Sequence, residues 1–309
     1  MPKVITIGEI LVEIMTKNKN QEFLKPGELI GPYPSGAPAI FIDQVQRMGI
    51  SSGIISKIGN DEFGILNKNR LYNDGVDVSN IKIVDEYTTG TAFVTYFEDG
   101  SRKFIFHLGH SASGYLNEDD ISEDYIKQAE FLHIMGCSVS GSEGMRRAIL
   151  KGVEIAKKHG VKISFDPNIR VELLTRQEIK EAYDYIISSC EVLLPGEDEI
   201  KALTGIQDVE KSVEIFLNKG INIIAVKNGS KGSTVYTKEL KLKVPSLDVI
   251  EIDPTGAGDC YDGAFIASLV DGKDLENAAR IANVAGALAV TKKGPMEGVH
   301  FKEDIMSLL

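Results

Sequence analysis

A chain of 309 residues, 43% hydrophobic and 26% charged, can bury one large core, or one core carrying an appended lid. Its formal net charge of −11 opposes non-specific binding to nucleic acid or an anionic membrane, and an anionic substrate would need a local cluster of donors. Cys137, Cys190 and Cys260 are too few and too scattered for a disulfide framework or a metal centre, which fits a reducing cytosol and a cytoplasmic protein.

Met-Pro-Lys leads directly into Val4–Ile7, which reads as a first strand and not as a signal peptide, and no apolar run has the length of a membrane span. Residues 11–33 hold little helical periodicity. Ala39, Ile42, Val45 and Met48 then recur as one helix face, and residues 53–58 read as another strand. Residues 88–106 alternate around Asp99-Gly100, a hairpin signal. Short apolar runs at 131–135, 161–165, 192–194 and 223–226 predict buried strands. Met145, Ile149, Val153, Ile155 and Ala156 mark a helix between two of them. Residues 247–252 alternate as a strand would, and Ala264, Phe265, Ala267, Ser268 and Leu269 suit a helix buried on one side. Asp274 can cap a helix carrying Ala278, Ile281, Ala282, Ala285 and Leu288.

Buried strands alternating with helices predict an α/β fold, a three-layer doubly wound and mostly parallel sheet. The two stretches that break this pattern predict a small β lid. Residues 1–10, 34–86 and 108–309 are expected to form the core, and residues 11–33 and 87–107 the lid. A Walker sequence is absent, which argues against a P-loop NTPase.

The segment Asp253-Pro-Thr-Gly-Ala-Gly-Asp259 describes a place for a phosphate. A glycine turn opening a helix leaves amide donors pointing outward at the positive end of the helix dipole. Gly256, Ala257 and Gly258 let a phosphoryl group approach that backbone closely. Asp259 adds nothing to anion binding, but it can accept a proton from an attacking hydroxyl. An aspartate there also suits a plain helix cap.

With Gly263 and Ala264, this run resembles the C-terminal signature of the ribokinase-like (PfkB) carbohydrate kinases, and the resemblance extends over essentially the whole chain. It implies that Asp259 is the catalytic base and that the amides at 256–258 form an anion hole. Ser35-Gly36-Ala37-Pro38-Ala39 resembles the N-terminal glycine signature, which places Gly36 and Ala37 against the sugar. Ile40 stands where the family usually has a sugar-binding Asn. Glu13 lies where many members carry a sugar-binding Asp, although a solvated acid on an edge strand is an equal reading. Asp166-Pro-Asn168-Ile-Arg170 is similar to the family's D-x-N-x-R run near the transferred phosphate, with Arg170 toward the substrate and Asp166 and Asn168 toward the nucleotide. Glu199 keeps the acid of the N-x-x-E segment, implying magnesium held through water, while Gly196 replaces the Asn. Lys227, Gly229 and Gly232 lie in a run that resembles the family's nucleotide-facing glycine turn, although any tight hairpin would look alike, and Asn283 matches a position near the adenine or makes a core hydrogen bond. Asp253 and Thr255, with residues 292–294, resemble a monovalent-cation loop.

The resemblance therefore implies transfer of the γ-phosphoryl of ATP, with Mg2+ and potassium activation, to a primary hydroxyl of a free sugar. In the 2-keto-3-deoxygluconate kinases a Tyr-Arg pair holds the sugar-acid carboxylate, and here Leu108 stands in place of that Arg. Leucine cannot clamp a carboxylate and Glu13 would repel one, so a neutral sugar is expected. The segments 8–13 and 35–44 are most similar to tagatose kinases, pointing to a ketohexose, tagatose or fructose. His107 is a further candidate for a sugar hydroxyl, or an ordinary lid histidine. The other readings are a 2-keto-3-deoxygluconate kinase or a nucleoside kinase of the same fold, and a sugar-binding regulator with a degenerate site. The expected partners are the sugar and ATP, and an exposed lid sheet suggests a homodimer.

Overall fold

The structure, a computed structural model, describes residues 1–169 and 174–309. Strands β1 (Val4–Ile7), β4 (Ser52–Gly59), β5 (Ile81–Val84), β8 (Phe131–Met135), β9 (Lys162–Asp166), β10 (Val192–Leu193), β11 (Ile223–Lys227), β12 (Ser233–Tyr236) and β13 (Lys241–Val244) form one nine-stranded sheet. Its order is β13-β12-β11-β10-β9-β8-β1-β4-β5, parallel except for the β11-β12-β13 meander at one edge. The central strands are apolar on both faces because helices cover both. In β8, Phe131 and Met135 join one core, while Leu132 and Ile134 join the other.

The first core is closed by α1 (Ala37–Arg47), α2 (Glu62–Asp74), α9 (Ala257–Val270), α10 (Leu275–Ala289) and α11 (Lys302–Met306). The second is closed by α3 (Glu123–Ile126), α4 (Gly136–Gly141), α5 (Glu143–His159), α6 (Gln177–Ile187), α7 (Glu197–Thr204) and α8 (Val209–Asn218). The expected three-layer α/β architecture is the observed one. The Asp274 carboxylate caps α10 by accepting the Asn277 amide at 2.8 Å.

Two expectations fail. Residues 247–252 are not a strand. Ile250 and Ile252 are 85% and 57% exposed, and the amides of Ile252 and Asp253 donate to the Val290 carbonyl at the end of α10. Alternation suggested a half-buried strand, but no neighbouring strand is present to pair with it. Helix α9 is not buried on one side only, since every residue from 259 to 268 is buried. It runs between α1 and α10, and Gly263 permits this: a side chain there would meet the Phe41 carbonyl at 2.6 Å.

Strands β2 (Leu11–Thr16), β3 (Leu29–Ser35), β6 (Gly90–Tyr96) and β7 (Arg102–His107) form a separate sheet, in the order β3-β2-β6-β7. The β6–β7 hairpin turns at Asp99-Gly100, with Gly100 at φ 83°. The register puts Glu13, Ala92 and Phe106 side by side on one face, with Thr91, Phe93, Ile105 and His107 on the other.

Candidate active site

Helix α9 opens at Gly256, whose φ of 84° and close approach to the Pro295 carbonyl (2.5 Å from where a side chain would begin) admit only glycine comfortably. The amides that follow have no carbonyl one turn back to accept them, so the turn presents donors. Asp259 sits two residues into the helix, 8% exposed, with no side-chain hydrogen bond among the described residues. Burial pushes its carboxyl up to about 8. Asp166, Glu9 and Glu13 add to the shift and Lys227 opposes it. A carboxyl left unpaired in such a place is poised to take a proton, not to anchor structure.

Behind the turn, the Lys227 ammonium lies between two aspartates, 2.9 Å from Asp166 and 2.9 Å from the nearer Asp262 oxygen. Burial alone would lower the lysine's pKa; Asp166 and Asp262 outweigh it and raise it. Burial drives the Asp262 carboxyl well above the usual range, with Asp166 adding to the shift and Lys227 opposing it. For Asp166 burial pushes the same way, but the lysine wins and holds it low. Lys227 was expected to face the nucleotide. It does line the cavity described below, but its charge is committed to this buried pair of aspartates. Asp262 was not singled out from the sequence. The available signal was an acid three residues after Asp259, inside an otherwise apolar helix.

Asp166 ends β9, and its carboxylate accepts the Asn168 amide at 3.0 Å, holding Asn168 at φ 38°. Glu199 accepts the Ile169 amide at 2.8 Å and the Gly196 amide at 2.6 Å. It thereby joins the loop after β9 to the start of α7, with both oxygens occupied by backbone. Burial raises its pKa, with Asp166 adding and Lys227 opposing. Arg170 lies outside the described residues.

On the other side of the turn, Glu13 projects from β2. The Ser35 hydroxyl donates to its Oε1 at 2.8 Å, while its Oε2 is buried without a partner among the described residues. Burial pushes this carboxyl up to about 7 despite the serine bond. The reading of Glu13 as a solvated edge acid is therefore corrected. Gly36 and Ala37 begin α1 alongside. Ile40 is fully buried against Gly256, bracing the anion turn from behind at the position where a sugar-binding Asn was looked for. Glu9, also buried, accepts the Ser138 hydroxyl at 2.5 Å and the Cys137 thiol at 3.3 Å. His107 is exposed on the opposite face of the sheet, edge-on to Phe93, because β7 alternates and Phe106 takes the inward position. Within this chain it does not share the Glu13 face, where the sugar was expected.

Asp253 is a junction. Its Oδ1 accepts the Tyr96 hydroxyl (2.7 Å) and the Thr255 amide (3.0 Å), and its Oδ2 accepts the Gly294 amide (3.0 Å). Thr255 in turn accepts an Arg102 N–H at 2.8 Å. The inner face of the second sheet thus reaches over the anion turn, a contact no sequence spacing announced. Among the described residues no group of three or more His, Cys, Asp or Glu side chains is arranged to hold a metal ion. The acids instead suit a cation brought by a ligand.

A cavity of about 510 Å3 opens beside the turn. Gly229, Ser230 and Gly232 line one wall, Ser246 to Val249 another, and Ala257, Gly258, Tyr261, Asn283 and Ala287 the floor. Asn283 borders the cavity and donates to the Val244 and Pro245 carbonyls at 3.1 and 3.3 Å, the core hydrogen bond that the sequence allowed. The exposed segment 247–252 makes sense here as part of this rim and not as a strand.

Residues 1–301 match the pfkB family of carbohydrate kinases. The fructokinase-1 of Oryza sativa subsp. japonica is 32% identical, covering 99% of this chain and 97% of its own length. An Escherichia coli protein provisionally named ribokinase II, solved with ATP and Mg2+, is 45% identical with a TM-score of 0.95, covering 99% of this chain and 98% of that one. A double mutant of Vibrio cholerae fructokinase, solved with fructose, ADP and potassium, is 27% identical with a TM-score of 0.89 over 100% of this chain and 98% of that one.

Proposed function

The chain belongs to the pfkB family of carbohydrate kinases, and from that premise we propose that it transfers the γ-phosphoryl of ATP to a primary hydroxyl of a neutral ketohexose, fructose or tagatose. The observation that carries this reading is the juxtaposition of two carboxyls left short of partners among the described residues: Asp259 at an amide turn and Glu13 with its buried Oε2. A sugar hydroxyl supplies the donor that Oε2 lacks. A sugar acid would add charge beside Glu13 and Asp259, where the buried Lys227 is already held by Asp166 and Asp262.

ATP lies in the 510 Å3 cavity with its terminal phosphate at residues 256–258. The sugar sits between Glu13 and Asp259, beneath residues 11–33 and 87–107 acting as the lid. Asp259 orients the acceptor hydroxyl and takes its proton as the new O–P bond forms and the bond to ADP breaks. Its raised pKa brings its basicity nearer the working pH than an ordinary carboxylate's. The amides of 256–258 stabilise the equatorial oxygens. Lid closure keeps water from competing with the sugar. Mg2+, which would be held through water by the acidic flank of Asp166 and Glu199, screens the phosphate oxygens. The loop of Asp253, Thr255 and Gly294 carries the expected potassium effect, measured as a higher initial rate in potassium than in sodium buffer. The outer lid face, with Ile105 and Leu29 about half exposed, favours pairing with a second copy.

The test is thermal-shift screening with ketoses, aldoses, sugar acids and nucleosides, each with and without a non-hydrolysable ATP analogue, followed by ADP release. Ketohexoses are expected to stabilise most and to drive turnover. Stabilisation by sugar acids alone would overturn the neutral-sugar reading, and turnover with nucleosides alone would overturn the sugar reading altogether.

A further inference from the structure

We propose that Arg102 is the lid's phosphate-contacting residue, supplying positive charge to the phosphoryl group during transfer; this rests on the kinase reading above. The charge inventory of the crevice creates the need. A phosphoryl leaving ADP moves toward the sugar side, where Asp259, Glu13 and Glu9 lie. The buried cation nearest the turn, Lys227, is already committed to Asp166 and Asp262. Amide donors at 256–258 serve one side of the group, leaving the sugar-facing oxygens to be met by something else.

Arg102 is placed to meet them. It opens β7 in register with Tyr96, and these two side chains reach from the lid to the turn, Tyr96 to Asp253 and Arg102 to Thr255. Thr255 immediately precedes Gly256. The guanidinium also acts on Glu13, lowering the pKa that burial raises, so its charge is felt at both the sugar carboxylate and the anion turn. It forms no ion pair among the described residues. Its recorded partners are the neutral Thr255 hydroxyl and the Phe104 ring at 5.7 Å. The planar fork therefore has donors free for two phosphate oxygens at once, the geometry in which arginine exceeds lysine. The chemistry stays balanced: the hydroxyl proton goes to Asp259, the O–P bond to the sugar forms as that to ADP breaks, and Arg102 donates hydrogen bonds without transferring a proton.

The test compares Arg102→Ala and Arg102→Lys with Tyr96→Phe, which removes the other lid-to-turn hydrogen bond but keeps the guanidinium. With fructose and MgATP, Arg102→Ala is expected to lose about 10²-fold in kcat with a much smaller change in KM for fructose. Lysine should restore part of the loss, free guanidinium ion should partly rescue the alanine variant, and Tyr96→Phe should lose only a few-fold. The proposal is overturned if Arg102→Ala keeps kcat within about threefold, if its whole defect lies in KM, or if Tyr96→Phe reproduces it. A second arm measures binding of MgADP with aluminium fluoride, a mimic of the phosphoryl in flight. Arg102→Ala should weaken it far more than it weakens MgADP alone, and equal weakening would overturn the proposal. Absence of turnover in the unsubstituted enzyme would strike the sugar assignment instead, and the binding arm would still decide for or against Arg102.

Discussion

Two of the buried charge clusters among the described residues are built on opposite principles. Between α1 and α2, Arg70 bonds Asp74 at 2.6 Å and Asp43 at 3.1 Å, and Arg47 bonds Asp74 at 2.9 Å. Two arginines thus face two aspartates, and the spare guanidinium donors go to the Met296 and Val299 carbonyls of the C-terminal loop. That cluster pairs its charges, with Glu297 on its rim 3.9 Å from Arg70. In the crevice, Lys227 pairs with Asp166 and Asp262 and acts on Glu199 and Asp259, while Glu9 and Glu13 lie on the far side of Asp259 with like charge. Unbalanced acids stay buried only by holding protons or by pairing with cations, so the second cluster fits the ligand site proposed above while the first joins α1 to α2.

Removing the central cation from each cluster should separate them. Lys227→Met leaves Asp166 and Asp262 without their partner beside the anion turn, and its expected signature is a loss of kcat of about 10²-fold or more, read on protein that still shows a cooperative melt. Arg70→Met should cost stability, about 3–5 kcal/mol by denaturant titration, with kcat changed only a few-fold. Equal kinetic damage from both would erase the distinction.

The pH dependence sharpens it. Asp259, at about 8, and Glu13, at about 7, lie above their unfolded values, so folding takes up protons. The stability this contributes is fully present below about pH 4 and is lost as pH rises through 7 to 8. The melting temperature of the free protein should therefore fall between pH 6 and pH 9. Over the same window kcat/KM should rise by up to about tenfold per pH unit on the limb below 8, because the base must be ionised. Asp43, pushed up to about 7 mainly by burial, adds to the first trend and not to the second. Asp43→Asn should flatten part of the stability slope and leave the acid limb in place; a displaced limb would mean the two clusters are coupled. The smallest effect is expected from Glu13→Gln, an increase of about tenfold in KM for the ketohexose with a lesser change in kcat, measured by steady-state kinetics.

What could be read from the residues alone follows from where a single period dominates. Strands such as β1 and β8 are apolar on both faces, and runs of that kind announce themselves. The glycine turn at 256–258 was legible for a different reason, since only small residues let a backbone meet an anion. Helix α2 went unread because few of its residues are buried, and β12–β13 because a short edge meander alternates weakly. The stretch 247–252 showed alternation without a partner strand, and pairing is a tertiary fact. His107 fell on the outer face by register, which one residue's shift would reverse. Asp262, Tyr96 and Arg102 were missed because their roles come from neighbours 35 to 157 positions away in the chain.

The most direct measurement is single-turnover phosphoryl transfer by Asp259→Asn, with nucleotide affinity determined on the same protein. The account predicts MgATP binding close to that of the unsubstituted enzyme and a transfer rate at least about 10²-fold lower. A variant that binds MgATP and still phosphorylates fructose at a near-normal rate would contradict it.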